Sequence, residues 1–384
     1  MAAPLQHPPV ISGEFWTARQ RQAKRLHEIA YRGCFKPQLP AFFISQYTRP
    51  GDLVYDPFSG RGTTAVEAAL NNRRVAANDV NPLSAVLTRP RLSPPLLTAL
   101  TDRLAKLPLH GDARATIDLS MFYHPQTESQ IVRLRRYLRA RLSHGEEDDL
   151  DRWIRMIATN RLSGHSSGFF SAYTLPPNLA ASPERQRQIN KKLRQSPPLR
   201  DIKELITKKS RQLLSDMTAA DRTALAQAAQ DAIFCSDKAE EEKTLSPASV
   251  NLVVTSPPFL DTVQYANDNW LRCWFNDIDA QKTEKRMTLP RSLAPWCSAM
   301  EAVLARLYDI VVPGGWVAFE AGEIRQGKIR LAEEIAPLGE RQKFKCVQIL
   351  INQQSFTKTA NIWGVKNNRH GTNTNRVVIF QKPD

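Results

Sequence analysis

The sequence predicts an α/β chain: one mostly parallel, doubly wound sheet of seven strands, interrupted after its second strand by a helical, basic insertion. Three observations predict it. Short apolar runs bounded by breakers recur toward both ends of the chain, a Gly-rich turn joins the first of them to an Ala-rich helix, and the middle carries helical periodicity with most of the net positive charge. Length fits this picture, since 384 residues suit one large unit with an insertion or two domains. A chain 42% hydrophobic and 24% charged is not disordered over most of its length.

The elements follow in order. Leu53-Val54-Tyr55 is a strand, Asp56 to Thr64 a breaker-rich turn, the Ala-rich stretch after it a helix, and Val75-Ala76-Ala77 a second strand ending at Asp79. Residues 1–95 are therefore the first part of a split sheet domain. Residues 96–230 form the insertion. Within it Ile131, Leu134, Leu138 and Leu142 mark one apolar helix face, while Arg133, Arg135, Arg136, Arg139 and Arg141 occupy much of the rest. Between Arg152 and Arg211 stand 13 Lys/Arg and 3 Asp/Glu, ten of the chain's fifteen net positive charges. Residues 231–384 complete the sheet with Ala232-Ile233-Phe234, Leu252-Val253-Val254, Trp316 to Phe319, Cys346 to Ile351 and Val377 to Phe380.

A surplus of 53 Lys/Arg over 38 Asp/Glu points to a polyanionic partner, nucleic acid or an anionic membrane. No apolar run is long enough to cross a bilayer and the first residues lack the pattern of a signal peptide, so the expectation is a cytoplasmic chain with no membrane partner. The five cysteines are scattered and contain no CxxC. Neither a disulfide framework nor a metal site is expected.

Two turns carry candidate chemistry. In Asp56-Pro57-Phe58-Ser59-Gly60-Arg61-Gly62-Thr63-Thr64, glycines let the backbone approach a ligand, and the helix N-terminus that follows offers unpaired N–H groups. It is not a P-loop, because no Lys follows the glycines. The alternative is a tight turn without a ligand. Asp79, ending the second strand between Asn78 and Asn81, is placed to accept from ribose hydroxyls, or else to cap the next helix. The second turn is Thr255-Ser256-Pro257-Pro258-Phe259, again after an apolar strand. Its prolines hold the chain extended, so that hydroxyl and carbonyl acceptors stand beside an aromatic plate, an arrangement suited to a planar heterocycle bearing an amine.

Together these turns resemble the paired signatures of the amino-group DNA methyltransferases, which move a methyl from S-adenosylmethionine to cytosine N4 or adenine N6. The Ser-Pro-Pro form is more similar to the cytosine-N4 branch, because the adenine branch usually has Asp or Asn at the position of Ser256. The resemblance covers about 14–95 and 230–384. It implies a Rossmann-like methyltransferase sheet with Phe35 and Lys36 in the cofactor-carboxylate segment. Asp56 and the Gly60/Gly62 turn would bind the methionine end, Asp79 the ribose and Asp237 the adenine, with Phe58, Thr63 and Thr255 also binding the cofactor and Ser256, Pro257, Pro258 and Phe259 catalytic. It also implies base flipping, DNA as partner, a target-recognition role for the insertion, and a cognate restriction endonuclease as a further partner to be tested. Arg61 departs from the small residue often found between the glycines.

Composition removes one rival. Carbon-5 methylation needs a nucleophilic Cys, typically after Pro or Thr, yet Gly33, Phe234, Arg272, Trp296 and Lys345 precede the five cysteines. Direct attack by the amine remains. For DNA contact the sequence offers Ser163 to Tyr173, small polar residues interleaved with aromatics, followed by Arg185, Arg187, Lys191, Lys192 and Arg194. The alternative is a surface loop whose Phe169-Phe170 pair docks on the core. Other readings stay open: adenine N6 on the same scaffold, an RNA amino-methyltransferase, or a DNA-binding regulator without catalysis.

Overall fold

The computed structural model describes residues 8–16, 23–175, 180–258, 265–287, 290, 292–324, 329–353 and 374–384. Its strands are β1 (Val10–Gly13), β2 (Leu53–Asp56), β3 (Arg74–Asn78), β4 (Ile233–Cys235), β5 (Val250–Thr255), β6 (Val311–Glu320), β7 (Glu323–Ile324), β8 (Ile329–Arg330), β9 (Lys345–Gln353) and β10 (Thr374–Gln381). Helices α1 (Gln38–Tyr47), α2 (Thr63–Leu70) and α3 (Leu83–Thr88) accompany the first strands. The insertion contributes α4 (Leu97–Lys106), α5 (Pro125–Ser143), α6 (Asp149–Arg161), α7 (Pro183–Leu193), α8 (Ile202–Leu214) and α9 (Ala219–Gln230). After β5 come α10 (Tyr265–Phe275), α11 (Ala280–Arg286) and α12 (Leu293–Ile310), and α13 (Leu331–Arg341) precedes β9.

Eight strands make one sheet in the order β1-β9-β10-β6-β5-β2-β3-β4, and β7 and β8 form a small separate ribbon. β10 runs antiparallel to both neighbours; the other pairings are parallel. This is an open, doubly wound, Rossmann-like sheet. All seven strands read from the sequence are in it. The eighth, β1, was not foreseen: Val10 and Ile11 are exposed, so no buried apolar pattern announces them. Backbone pairing with β9 holds this strand, and the segment after it is fixed by the buried Asn352 side chain, whose Oδ1 accepts from Phe15 N (2.7 Å) and Trp16 N (3.1 Å).

Strands buried on both faces read as continuous apolar runs, and alternation then assigns each residue to one layer. Val54, Val75 and Val254 face one side, where α2 and α4, α5, α6, α8 and α9 of the insertion share a single buried cluster with them. Tyr55, Val253 and Phe319 face the other, against Trp296 of α12 and Ile335 of α13. The insertion thus rests on the sheet through a common core. Part of its charge is spent holding it together. Buried Asp151 accepts from Arg103 Nη1 (2.7 Å), Arg141 Nε (2.9 Å) and the Tyr137 hydroxyl (3.1 Å), while Arg135 of the basic α5 face bonds Asp277. Among the described residues no helix is long and apolar enough to cross a membrane, and no three His, Cys, Asp or Glu gather as metal ligands.

Candidate active site

In a doubly wound sheet the ligand crevice opens at the carboxyl ends of the strands where the order reverses. Here that point lies between β2 and β5, and the two candidate turns leave from those ends. They are bonded to each other: Thr255 Oγ1 donates to Asp56 Oδ1 at 2.6 Å, and Phe58 N donates to the same oxygen at 3.1 Å. Burial pushes the Asp56 carboxyl up to about 7, against the pull of those bonds.

The cofactor turn is fixed from below. Gly60 N and Asn81 N donate to the two carboxylate oxygens of Asp79, at 2.7 and 2.9 Å. Burial raises Asp79 to about 6. Gly62, at φ +72°, opens α2, and a Cβ there would stand 2.2 Å from Thr88 Oγ1, so only glycine fits. Arg61 does not enter the crevice. It is buried, and its guanidinium donates to the carbonyls of Ile29 (3.1 Å) and Phe35 (3.4 Å), fastening the turn to the segment that precedes α1. Asn78 bridges the next pair: its Nδ2 donates to Asp237 O (2.9 Å) and its Oδ1 accepts from Asp237 N (3.0 Å).

At the β5 end, the Ser256 hydroxyl bonds the carboxylate of Glu320, the last residue of β6. Asn375 Nδ2 donates to Glu320 Oε1 at 3.1 Å. Burial raises the Glu320 carboxyl above its ordinary range, opposed by these two bonds. The Pro258 carbonyl accepts from Trp296 Nε1 at 3.0 Å, which anchors the far side of the turn to α12. Phe259 lies outside the described residues.

One cavity of about 660 Å³ joins these parts. Its wall includes Phe35, Phe58, Gly60, Asp79 and Asp237 at one end and Ser256, Glu320 and Asn375 at the other. A smaller recess against Asp56, Thr63 and Ser59 continues it. Ser59 Oγ is buried there without a hydrogen-bond partner among the described residues, a vacancy in bonding that a polar ligand would fill. The residues present therefore fit a ligand with an amino-acid end and a ribose.

A family model described as DNA methylase, for N6 and N4 enzymes, matches residues 8–85. The match takes in the cofactor turn and the segment before it, about a fifth of the chain. It is 30% identical over 76 residues to the Type II methyltransferase M.MjaII of Methanocaldococcus jannaschii, a match covering 20% of this chain and 14% of that protein. It is 39% identical over 62 residues to the orphan methyltransferase M.BamHII of Bacillus amyloliquefaciens, covering 16% of this chain and 23% of that one. The matches thus span under a quarter of either relative. Among solved structures, the rRNA methyltransferase aviRa of Streptomyces viridochromogenes aligns over 93% of this chain and 89% of its own, at 12% identity and a TM-score of 0.36.

The remaining sequence candidates fall as follows. Lys36 stands just before α1, half-buried, and is not part of the cavity wall. Arg185, Arg187, Lys191 and Lys192 are exposed on α7, and Arg194 caps it at φ +49°. Arg187 is paired with Asp118 at 2.8 Å. The start of α7 lies near the cavity, because Ala180 N donates to the carbonyl of the wall residue Asp268 (3.1 Å). Phe169 and Phe170 are buried, as the alternative reading of that loop expected, leaving His165, Ser166 and Ser167 at its exposed tip. Sequence reasoning missed Glu320 and Trp296, and named Asn81 beside Asp79 without a role of its own. Glu320 had a signal: it ends an apolar strand with a carboxylate, as Asp79 does.

Proposed function

We propose that the chain is an S-adenosylmethionine-dependent DNA methyltransferase acting on an exocyclic amine, with cytosine N4 in a base turned out of the duplex as its target. The observation that carries this reading is the continuity of the cavity from Asp79 and Asp56 to Ser256 and Glu320. Its volume is ample for a nucleoside cofactor with room left for a planar base. S-adenosylmethionine, when bound, supplies an electrophilic methyl group.

The residues divide the remaining work. Asp79 and the Gly60 backbone hold the ribose, Asp56 and Ser59 the amino-acid end, and Asp237 the adenine. Ser256, whose hydroxyl bonds Glu320, keeps a lone pair free to accept from the target amine, and the Pro257 carbonyl accepts the second N–H. Phe259 stacks on the base. Once the amine has gained its methyl it becomes acidic, and its proton passes through Ser256 Oγ to Glu320, whose raised affinity for a proton suits that task. Residues 96–230 recognise the target sequence, with Arg185, Arg187, Lys191, Lys192 and Arg194 gripping phosphates.

Nucleoside mass spectrometry of DNA from cells with and without the protein tests the reading. N4-methylcytosine is expected. N6-methyladenine would keep the scaffold and overturn the base; a mark on RNA alone would overturn DNA as substrate.

A further inference from the structure

A second cationic feature lies behind the cavity wall, apart from α7, where Arg272 acts on the wall residues Tyr31 and Tyr265. Ala30, next to the wall residues Tyr31 and Arg32, exchanges two hydrogen bonds with the Asn160 side chain: Ala30 N donates to Oδ1 (3.0 Å) and Nδ2 donates to Ala30 O (2.9 Å). Two guanidiniums hold this knot. Arg161 Nη2 donates to Asn160 Oδ1 at 3.0 Å, and Arg272 Nη2 donates to Ala30 O at 3.2 Å. Both are thereby aimed at one small region from different elements, α6 and α10.

Neither is held in an ion pair among the described residues: no carboxylate there lies within 4.0 Å of Arg161 or Arg272, although Asp268, engaged by Arg32 at 2.7 Å, acts on Arg272 from beyond that reach. Arg161 lies instead over the Phe169 ring, 4.0 Å from its centre. Burial and the like charge of Arg272 bring Arg161 down to about 10, and burial, with the like charge of Arg161 second, brings Lys209 down to about 8. Partly buried cations without anions are costly unless an anion arrives. Beside Arg161 runs the loop tip His165-Ser166-Ser167-Gly168, exposed and rich in small donors. The loop is joined to Arg161 where it leaves the tip: the guanidinium lies over the Phe169 ring, and Phe170 N donates to Arg161 O at 2.9 Å.

We propose that Arg161 and Arg272, with the Ser166-Ser167 tip, seat a DNA phosphodiester next to the cavity, beside the nucleotide that enters. This rests on the reading of the chain as a DNA methyltransferase. It adds a site that charge density alone does not locate, because Arg161 is paired in space with Arg272, 111 residues on and outside the basic stretch from Arg152 to Arg211.

The test is fluorescence anisotropy with a short labelled random-sequence duplex, read as affinity and salt slope. Arg161→Gln keeps donors but loses the charge, and should bind DNA about tenfold more weakly with a salt slope smaller by about 0.9. Arg161→Lys should recover the slope. Because Arg161 is partly buried, Ser167→Asp at the exposed tip provides an arm that leaves the packing alone, and it should also weaken binding. S-adenosylmethionine affinity, by calorimetry, should be unchanged in all three. Wild-type affinity and slope in both Arg161→Gln and Ser167→Asp would overturn the seat while leaving the enzymatic reading intact. Failure of the unmodified protein to bind DNA at all would overturn both.

Discussion

At the scale of single residues, the buried carboxyls Asp56 and Asp79 set a pH dependence whose sign is fixed. Folding raises them to about 7 and about 6, whereas an unfolded Asp titrates near 4, so the folded chain holds protons that the unfolded chain has shed. Their contribution to stability is present below about pH 4 and is lost as pH rises through 6 and 7. Asp56→Asn removes one buried charge while its amide oxygen still accepts from Thr255; thermal unfolding should show it raising stability at pH 8 and flattening the decline. Cofactor affinity should move the other way, falling at least about tenfold, since an ammonium group loses its carboxylate. Binding to the unmodified protein near pH 6 should release protons, visible as a buffer-dependent heat in calorimetry. An Asp56→Asn variant that is no more stable at pH 8 than the parent would show that Asp56 is not ionised against its environment. The sequence made these two residues legible because each ends an apolar run with a carboxylate. It showed Asn81 but hid its partners: Nδ2 donates to the Tyr31 hydroxyl at 3.1 Å and Oδ1 accepts from Tyr265, 50 and 184 residues away.

At the scale of elements, two turns are held by contacts of different kinds, and each gives a test. The cofactor turn depends on backbone shape: Gly62→Ala places a Cβ in the left-handed region and 2.2 Å from Thr88, so a loss of roughly 2–4 kcal/mol is expected in urea unfolding. A loss under about 0.5 kcal/mol would mean that Thr88 yields freely. The turn after β5 depends instead on one donor. Trp296→Phe keeps a ring in the buried site but removes the N–H that the Pro258 carbonyl accepts, and the methylation rate should drop several-fold more than S-adenosylmethionine affinity does. Equal changes in both would assign Trp296 to packing alone. Element identity was legible wherever strands are buried on both faces, since such strands are unbroken apolar runs. β1 was not, because an edge strand held by backbone bonds and by Asn352 needs no apolar pattern of its own.

At the scale of the whole molecule, the net charge points to a polyanionic partner but not to the place where such a partner would be gripped. Of the basic residues between Arg152 and Arg211, Arg152 and Arg155 pair with Glu147, Arg187 pairs with Asp118, and Arg161 and Lys209 are partly or largely buried. Lys191, Lys192 and Arg194 are exposed at the end of α7, and no ion pair engages them among the described residues. Counterion release counts phosphates neutralised, so the two groups should behave differently. Changing Lys191, Lys192 and Arg194 together to Gln should lower the slope of log affinity against log salt by up to about 0.9 per contact, measured on duplex DNA between about 50 and 200 mM salt. Arg187→Gln should change it less, because Asp118 already offsets that charge across an exposed pair. A triple variant with the parent's slope would place the end of α7 away from the nucleic acid and leave Arg161 and Arg272 as the principal cationic contact. A larger effect from Arg187 than from the triple would mean that DNA displaces Asp118 on binding, and Asp118→Asn should then tighten the complex.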